Sequence, residues 1–324
     1  MDTARALKDI GIRVLRAGLW KPRTHPGSFE GVGEQGLAWL QEAREKLGLR
    51  ICTEVVSARH VQECLRCGVD LLWIGARTTG NPFLVQEIAD TLSGHDIPVL
   101  VKNPLNPDLN LWIGALERLS RAGVRKLGVV LRGFSTRDSI AYRSDPGWKL
   151  AIDLRTRYPE MAFFVDPSHM AGERRYIREL SQRAMDLGLD GLMIESHCCP
   201  EKAWSDASQQ LTPQALKELL EGLAVRKTNS ESLSYKENIE ALRARIDVID
   251  RDLLRLLRDR MEISRQVAAC KREHNVAILQ AERWEHVLES ALESGRELGL
   301  SEAAVRAIMT AIHEESVRVQ KLSL

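Results

Sequence analysis

The chain has 324 residues, with 46 Lys and Arg against 45 Asp and Glu, so its formal charge of +1 gives no global field toward nucleic acid or an anionic membrane surface. It has no run of about 18 apolar residues able to span a bilayer, and it opens on an amphipathic stretch rather than a basic and then apolar leader, so a cytoplasmic location is expected. The six cysteines show no disulfide-framework spacing; Cys64 and Cys67 match a CxxC pattern but end a helical stretch without a second pair, and are expected to be reduced structural thiols.

In chain order, residues 3–8 read as a helix. Short β-branched runs then occupy 12–18, 50–56, 69–75, 97–103, 125–132, 162–167 and 190–196. Amphipathic helical patterns follow them in turn, at 34–47, 58–67, 84–92, 109–122, 148–158, 174–187 and 213–222. Near-continuous apolar strands, each followed by a helix, predict a parallel sheet covered by helices, and the natural closure is a (β/α)8 barrel one strand short of its full count. After a polar bridge at 226–232, strand signals vanish. Helices are expected at 238–274, 280–297 and 301–322, the first carrying Leu242, Ile246, Ile249, Leu253, Leu256 and Leu257 on one face. The expected organisation is α/β followed by all-α: a barrel over residues 1–222, a linker at 223–234 and a small three-helix domain at 235–324.

In such a barrel, chemistry belongs at the C-terminal ends of the strands. The first run carries Arg16 and leads into Lys21-Pro22-Arg23-Thr24; later runs end in Glu54, in Ile74-Gly75-Ala76-Arg77, in Lys102-Asn103 and in Arg132. The last two end in Asp166-Pro167-Ser168-His169 and in Glu195-Ser196-His197, with Ser205-Asp206 shortly after. Arg gives planar bidentate donors and Lys a compact charge, so Arg16, Lys21, Arg23, Arg77, Lys102 and Arg132 are expected to line a pocket for multiply anionic substrates. His169, Glu195 and Asp206 form a mixed nitrogen and oxygen donor set suited to a divalent ion.

The strings Lys-Pro-Arg-Thr, Ile-Gly-Ala-Arg, Val-Asp-Pro-Ser-His and Met-Ile-Glu-x-His, followed by Ser-Asp-Ala, resemble 3-deoxy-D-arabino-heptulosonate 7-phosphate (DAHP) synthases of the type I beta group over about residues 1–222. The related 3-deoxy-octulosonate 8-phosphate synthases share the barrel but normally replace the first two strings, so residues 21–24 and 74–77 decide between the two. The resemblance implies condensation of phosphoenolpyruvate with erythrose 4-phosphate. It assigns Arg16, Lys21 and Lys102 to the phosphoenolpyruvate carboxylate region, Arg77 and Arg132, beside Ala76, to its phosphate, and Arg23 with Thr24 to the tetrose phosphate. Lys21 and His169 are the expected catalytic residues, and His169, Glu195 and Asp206 the ligands of Mn, Fe, Co or Zn. That family takes a fourth ligand from a Cys in a Gly-Pro-Cys motif on the first barrel strand. Neither is present here, so the barrel is expected to be N-terminally incomplete, and Cys52, Cys198 and Cys199 are not expected to substitute.

The helical segment resembles the all-helical class of chorismate mutase. The match runs through Leu-Arg-x-x-Ile-Asp-x-Ile-Asp, Leu-Leu-x-x-Arg, a Lys, Glu-Arg and Glu-Ser-Val-x-x-Gln. This implies that Arg243 reaches a partner's site across a homodimer, that Arg260 and Arg283 hold the carboxylates and hydroxyl region of chorismate, and that Lys271 and Gln320 address the ether oxygen. Gln280 and Trp284 depart from the usual Asp and Glu, so altered affinity is expected. The combined reading is a bifunctional enzyme of the shikimate pathway leading to prephenate. Two alternatives stand beside it: a helical domain that chiefly dimerises the chain and senses a ligand, and a chain in which only the mutase works.

Overall fold

The computed structural model describes residues 1–23, 27–135, 141–226, 232–277 and 281–322. It divides into two compact units, Met1–Thr228 and Asn229–Leu324.

The first unit opens with α1 (Asp2–Asp9) and β1 (Val14–Ala17), followed by α2 (Gln35–Leu47), β2 (Arg50–Val55), α3 (Ala58–Arg66) and β3 (Leu71–Ile74). Next come the one-turn α4 (Ala76–Thr79), α5 (Pro82–Leu92), β4 (Val99–Lys102), α6 (Leu109–Arg121), β5 (Leu127–Leu131) and α7 (Trp148–Arg157). It closes with β6 (Ala162–Val165), the short α8 (Pro167–Ala171), α9 (Ile177–Asp186), β7 (Gly191–Leu192) and α10 (Pro213–Glu221). All strand pairs are parallel and the sheet order is sequential, β1 to β7. Among the described residues this is an open, TIM-like barrel of seven strands, as the alternating pattern predicts.

The caps explain where the helices begin. Ser57, Asn81, Asp108, Asp166 and Thr212 each accept a hydrogen bond from a backbone N–H in the first turn of the following helix. Pro82, Pro167 and Pro213 occupy first-turn positions, where the missing N–H costs nothing. The register keeps the strands level at their C-terminal ends, with Ala17 beside Thr53, Val55 beside Ile74, and Lys102 beside Val130. The main core lies between sheet and helices, and includes Ile51, Leu72, Ile74, Trp112, Leu119 and Phe163. A smaller cluster of Cys52, Trp73, Leu100, Val130 and Met193 fills the inside of the curved sheet.

Among the described residues, no ladder joins β7 to β1. Between these edges lies a mainly apolar cavity of 610 Å³, lined by Leu15, Ala17, Cys52, Phe164, Leu192 and Met193 among others. Three expectations need adjusting. The strand expected at 190–196 is regular only over Gly191–Leu192; the helix expected at 174–187 begins as a 3-10 turn before α9; and α4 and α8 were not anticipated. Cys64 and Cys67 are unpaired thiols, with the buried Cys64 thiol pushed up to about 12, first by burial.

The second unit holds α11 (Leu233–Glu273), α12 (Ala281–Glu297) and α13 (Glu302–Leu322), with α13 packed on both of the others. The first helix starts five residues before the expected position 238, with Ser232 as its cap. No helix among the described residues is long and apolar enough to cross a membrane.

Candidate active sites

The C-terminal end of the sheet gathers the strand-end residues into one pocket, lined by Arg16, Lys21, Pro22, Arg23, Glu54, Gly75, Ala76, Arg77, Lys102, Arg132, His169, Glu195 and Asp206. Thr24 lies outside the described residues. Six cationic side chains face three carboxyl groups in this lining, an excess of positive charge in a partly dry site. The six expected cations, Arg16, Lys21, Arg23, Arg77, Lys102 and Arg132, thus lie in one lining.

Five of the six cations are placed by specific local contacts. Arg16 leaves β1 and donates through Nη2 to Glu195 Oε1 at 2.6 Å, across the gap between β1 and the segment after β7. The loop after β1 folds back on itself: Lys21 N–H donates to Glu30 O at 2.7 Å. Gly31 sits at φ +101, where a Cβ would fall 2.0 Å from Leu19 O, so only glycine fits. This fold turns Lys21 Nζ toward Ser205 Oγ at 2.6 Å and Asp206 Oδ2 at 3.5 Å, and Arg23 Nη2 toward the same Asp206 oxygen at 3.2 Å. Lys102, the last residue of β4, donates to Asp166 Oδ2 at 2.6 Å. The backbone N–H of Arg132 is fixed by Asn103 Oδ1 at 2.7 Å, while the Asn103 amide donates to Gly133 O at 2.8 Å.

Asp166 organises the β6 end. It caps α8 by accepting the His169 N–H at 3.1 Å, and its Oδ2 lies 2.8 Å from His169 Nδ1. With Nδ1 engaged, His169 directs Nε2 toward Glu195 Oε1, 4.0 Å away. Burial opposes ionisation of Asp166, but the charges of His169 and Lys102 hold its carboxyl well below the usual range. Burial lowers the His169 pKa, against the pull of Asp166. Burial likewise lowers Lys21 and raises Glu54. Gly75 makes room for that carboxyl, since a Cβ there would sit 1.9 Å from Glu54 Oε1.

Glu195 is held down at about 2 from an ordinary 4.5, because Arg16 and His169 outweigh the burial that pushes it up. A depressed carboxylate adds stability above its unfolded pKa and loses it as pH falls through the folded one. A shift of this size corresponds to about 3 kcal/mol, lost between pH 4.5 and about 2. Urea unfolding of the native chain is expected to show that decline, and Glu195→Gln to flatten it; parallel declines in both would assign the acid sensitivity elsewhere.

Three expected metal donors stand at this pocket, but Asp206 is turned to Lys21 and Arg23 and Glu195 to Arg16. Among the described residues, no group of three His, Cys, Asp or Glu side chains is gathered tightly enough to hold an ion. The donor chemistry still fits a divalent ion: an imidazole whose Nδ1 is anchored by a carboxylate, and two carboxylates held ionised. Sequence reasoning assigned no role to Asp166, Ser205, Gln209 or Arg143. Asp166 could have been found from its cap position before Pro167, whereas the others become visible only when the loops meet.

In the helical unit, Arg260 of α11 donates to Ser316 of α13, and Ser316 also donates to Ile312 O at 2.8 Å. Gln320 lies one turn beyond Ser316, its Oε1 buried without a hydrogen-bond partner. Lys271 follows Arg260 by eleven residues, three turns along α11, and so shares its face. Arg243 and Arg283 are exposed, and Gln280 lies outside the described residues. Trp284 stacks on His313 with ring centroids 4.2 Å apart.

An open parallel barrel with a cation-lined pocket at its strand ends defines the first unit as α/β. The DAHP synthetase I family matches residues 1–230, and the chain belongs to that family. Residues 242–321 match chorismate mutase type II. A phospho-2-dehydro-3-deoxyheptonate aldolase of Thermotoga maritima is 32% identical over 238 residues, covering 74% of this chain and 68% of that protein. A 2-dehydro-3-deoxyphosphooctonate aldolase of Desulfatibacillum aliphaticivorans is 31% identical, covering 64% of this chain and 77% of its own length. The crystal structure of the Thermotoga maritima DAHP synthase superposes with a TM-score of 0.61 at 31% identity, covering 68% of this chain. This chain spans 62% of that solved one.

Proposed function

We propose that the barrel unit condenses phosphoenolpyruvate with erythrose 4-phosphate to give DAHP, that the helical unit converts chorismate to prephenate, and that both work in the cytoplasm in aromatic amino-acid biosynthesis. The observation that carries the first reading is the gathering of Arg16, Lys21, Arg23, Arg77, Lys102 and Arg132 at one pocket.

In this reading Arg16, Lys21 and Lys102 face the phosphoenolpyruvate carboxylate, Arg77 and Arg132 its phosphate, and Arg23 with Thr24 the tetrose phosphate. Holding two mutually repelling anions side by side supplies most of the catalysis, as positioning and electrostatics. C3 of the enol phosphate attacks the aldehyde carbon, water adds to C2, and phosphate leaves. Lys21, whose ammonium is made more acidic by burial, would give a proton to the aldehyde oxygen as it becomes a hydroxyl. His169, Glu195 and Asp206 would hold a Mn, Fe, Co or Zn ion, which when bound supplies a Lewis acid for that oxygen. Calorimetry with phosphoenolpyruvate tests the pocket: native chain is expected to bind one equivalent, and Arg132→Met to lose at least tenfold in affinity. Equal binding by both would remove Arg132 from the phosphate site.

In the helical unit Arg260 would hold a chorismate carboxylate, with Lys271 and Gln320 donating to the ether oxygen as the C–O bond breaks. Arg243 and Arg283 complete the site only if a second copy supplies what one chain leaves open. The apolar face of α11 supports such a homodimer, because Ile246, Ile249, Leu253 and Leu256 are 56%, 58%, 53% and 66% exposed. The double change Ile249→Glu/Leu253→Glu is expected to halve the sedimenting mass and abolish chorismate conversion; an unchanged mass would exclude this face. The same stripe favours a second reading, in which the helical unit chiefly dimerises the chain and senses prephenate or chorismate for the barrel. An isolated helical unit inert toward chorismate, in a full chain whose synthase responds to prephenate, would select it.

A further inference from the structure

We propose that Gln209 is a positioning residue that sets the rotation of the Glu195 carboxylate and ties it to Arg143 at the pocket rim, an inference that rests on the synthase reading of this pocket. Gln209 lies on the 3-10 turn that follows Asp206 and is 1% exposed. Its Nε2 donates to Glu195 Oε2 at 2.7 Å, and its Oε1 accepts from Arg143 Nη1 at 3.2 Å. Its backbone N–H donates to Asp206 O at 3.2 Å.

These bonds complete a chain of alternating charge. Arg16 holds one oxygen of Glu195, Gln209 holds the other, and Arg143 passes from Gln209 to Asp206 Oδ1 at 3.6 Å. Asp206 in turn meets Lys21 and Arg23. Gln209 is the neutral link between the two carboxylates. Its position demands a group that donates to a carboxylate on one side and accepts from a guanidinium on the other. A carboxylate cannot donate and an ammonium cannot accept, so an amide of this length meets the need. With both oxygens engaged, Glu195 cannot swivel, and its Oε1 stays on the side of Arg16 and His169 Nε2. Arg143, anchored by its backbone N–H to Ala171 O at 3.2 Å, has a side chain half open to solvent whose guanidinium reaches both Gln209 and Asp206.

Gln209→Met keeps the volume and removes both bonds; Gln209→Glu keeps an acceptor for Arg143 but sets a second carboxylate against Glu195. Free Mn²⁺ is measured by electron paramagnetic resonance, and phosphoenolpyruvate binding by calorimetry, on the full chain with thermal unfolding followed in parallel. Both variants are expected to raise the Mn²⁺ dissociation constant about 10- to 100-fold, the usual cost of removing a partner of a ligating carboxylate. Arg143→Met is expected to weaken Mn²⁺ binding as well, and to add less in the Gln209→Met background than in the native chain, where it loses its contact with Gln209 as well as that with Asp206. If the variants unfold at lower temperature but keep Mn²⁺ affinity within twofold of native, Gln209 only packs and the proposal is overturned. A native chain that leaves the Mn²⁺ signal unchanged fails the metal reading instead. Gln209 is then judged on phosphoenolpyruvate alone: a loss of threefold or more in Gln209→Met supports the proposal, and a smaller one overturns it.

Discussion

Lys102→Met is expected to destabilise the barrel unit by about 3–5 kcal/mol, the cost of leaving one member of a buried ion pair without its partner. The pair is almost fully desolvated, with side-chain exposures of 7% for Lys102 and 0% for Asp166, and an N–O distance of 2.6 Å. Asp166 would keep His169, but a carboxylate in that position relies on both cations to remain ionised. Urea unfolding measures the loss, and Lys102→Met/Asp166→Asn is expected to recover part of it by removing the orphaned charge. The single change should also cut phosphoenolpyruvate affinity at least tenfold, because Lys102 lines the pocket. A variant as stable as native would show that water reaches Asp166.

The second large effect falls on the helical unit. Lys271→Met is expected to lower kcat for chorismate by about 10²–10³, the typical cost of losing one donor to charge that develops in a transition state. The rearrangement has no covalent step to conceal such a loss. Lys271 lies on the face that carries Arg260, and Arg260 meets Ser316 one turn from Gln320. Thermal unfolding measured in parallel separates this loss from a loss of stability, with chorismate absorbance persisting in a chain that remains folded. Full activity in this variant would shift the donor role to the amide nitrogen of Gln320, one turn beyond Ser316 on α13.

The sequence made the barrel legible because its signals are local. Apolar strands, Pro and Asp caps, and a charged residue at nearly every strand end can each be read within a few residues, and Arg16, Lys102, Arg132, His169 and Glu195 do meet at one pocket. What escaped detection depends on distant parts meeting. Gln209 carries no charge and lies 66 residues from Arg143, so nothing in the pattern links them. Asp166 is visible as a cap, but its hold on Lys102 spans 64 residues. The one-turn helices α4 and α8 are too short for periodicity, yet they position Arg77 and His169. The opposing pull of Arg16, Lys21 and Arg23 on the expected metal donors was also invisible, because each residue had been given a separate partner. In the helical unit the pattern placed all three helices, whereas the hydrogen bond from Arg260 to Ser316 spans 56 residues and has no local signal.

The most direct test of the central claim is phosphate release from phosphoenolpyruvate by the purified chain, with Mn²⁺ supplied, in the presence of either erythrose 4-phosphate or arabinose 5-phosphate. The pocket described above predicts release with the four-carbon aldose, little with the five-carbon one, and loss of the signal in Arg23→Ala. Release with arabinose 5-phosphate instead would assign the barrel to the octulosonate branch. Failure with both aldoses, alongside conversion of chorismate, would contradict the synthase reading and leave the mutase as the chain's activity.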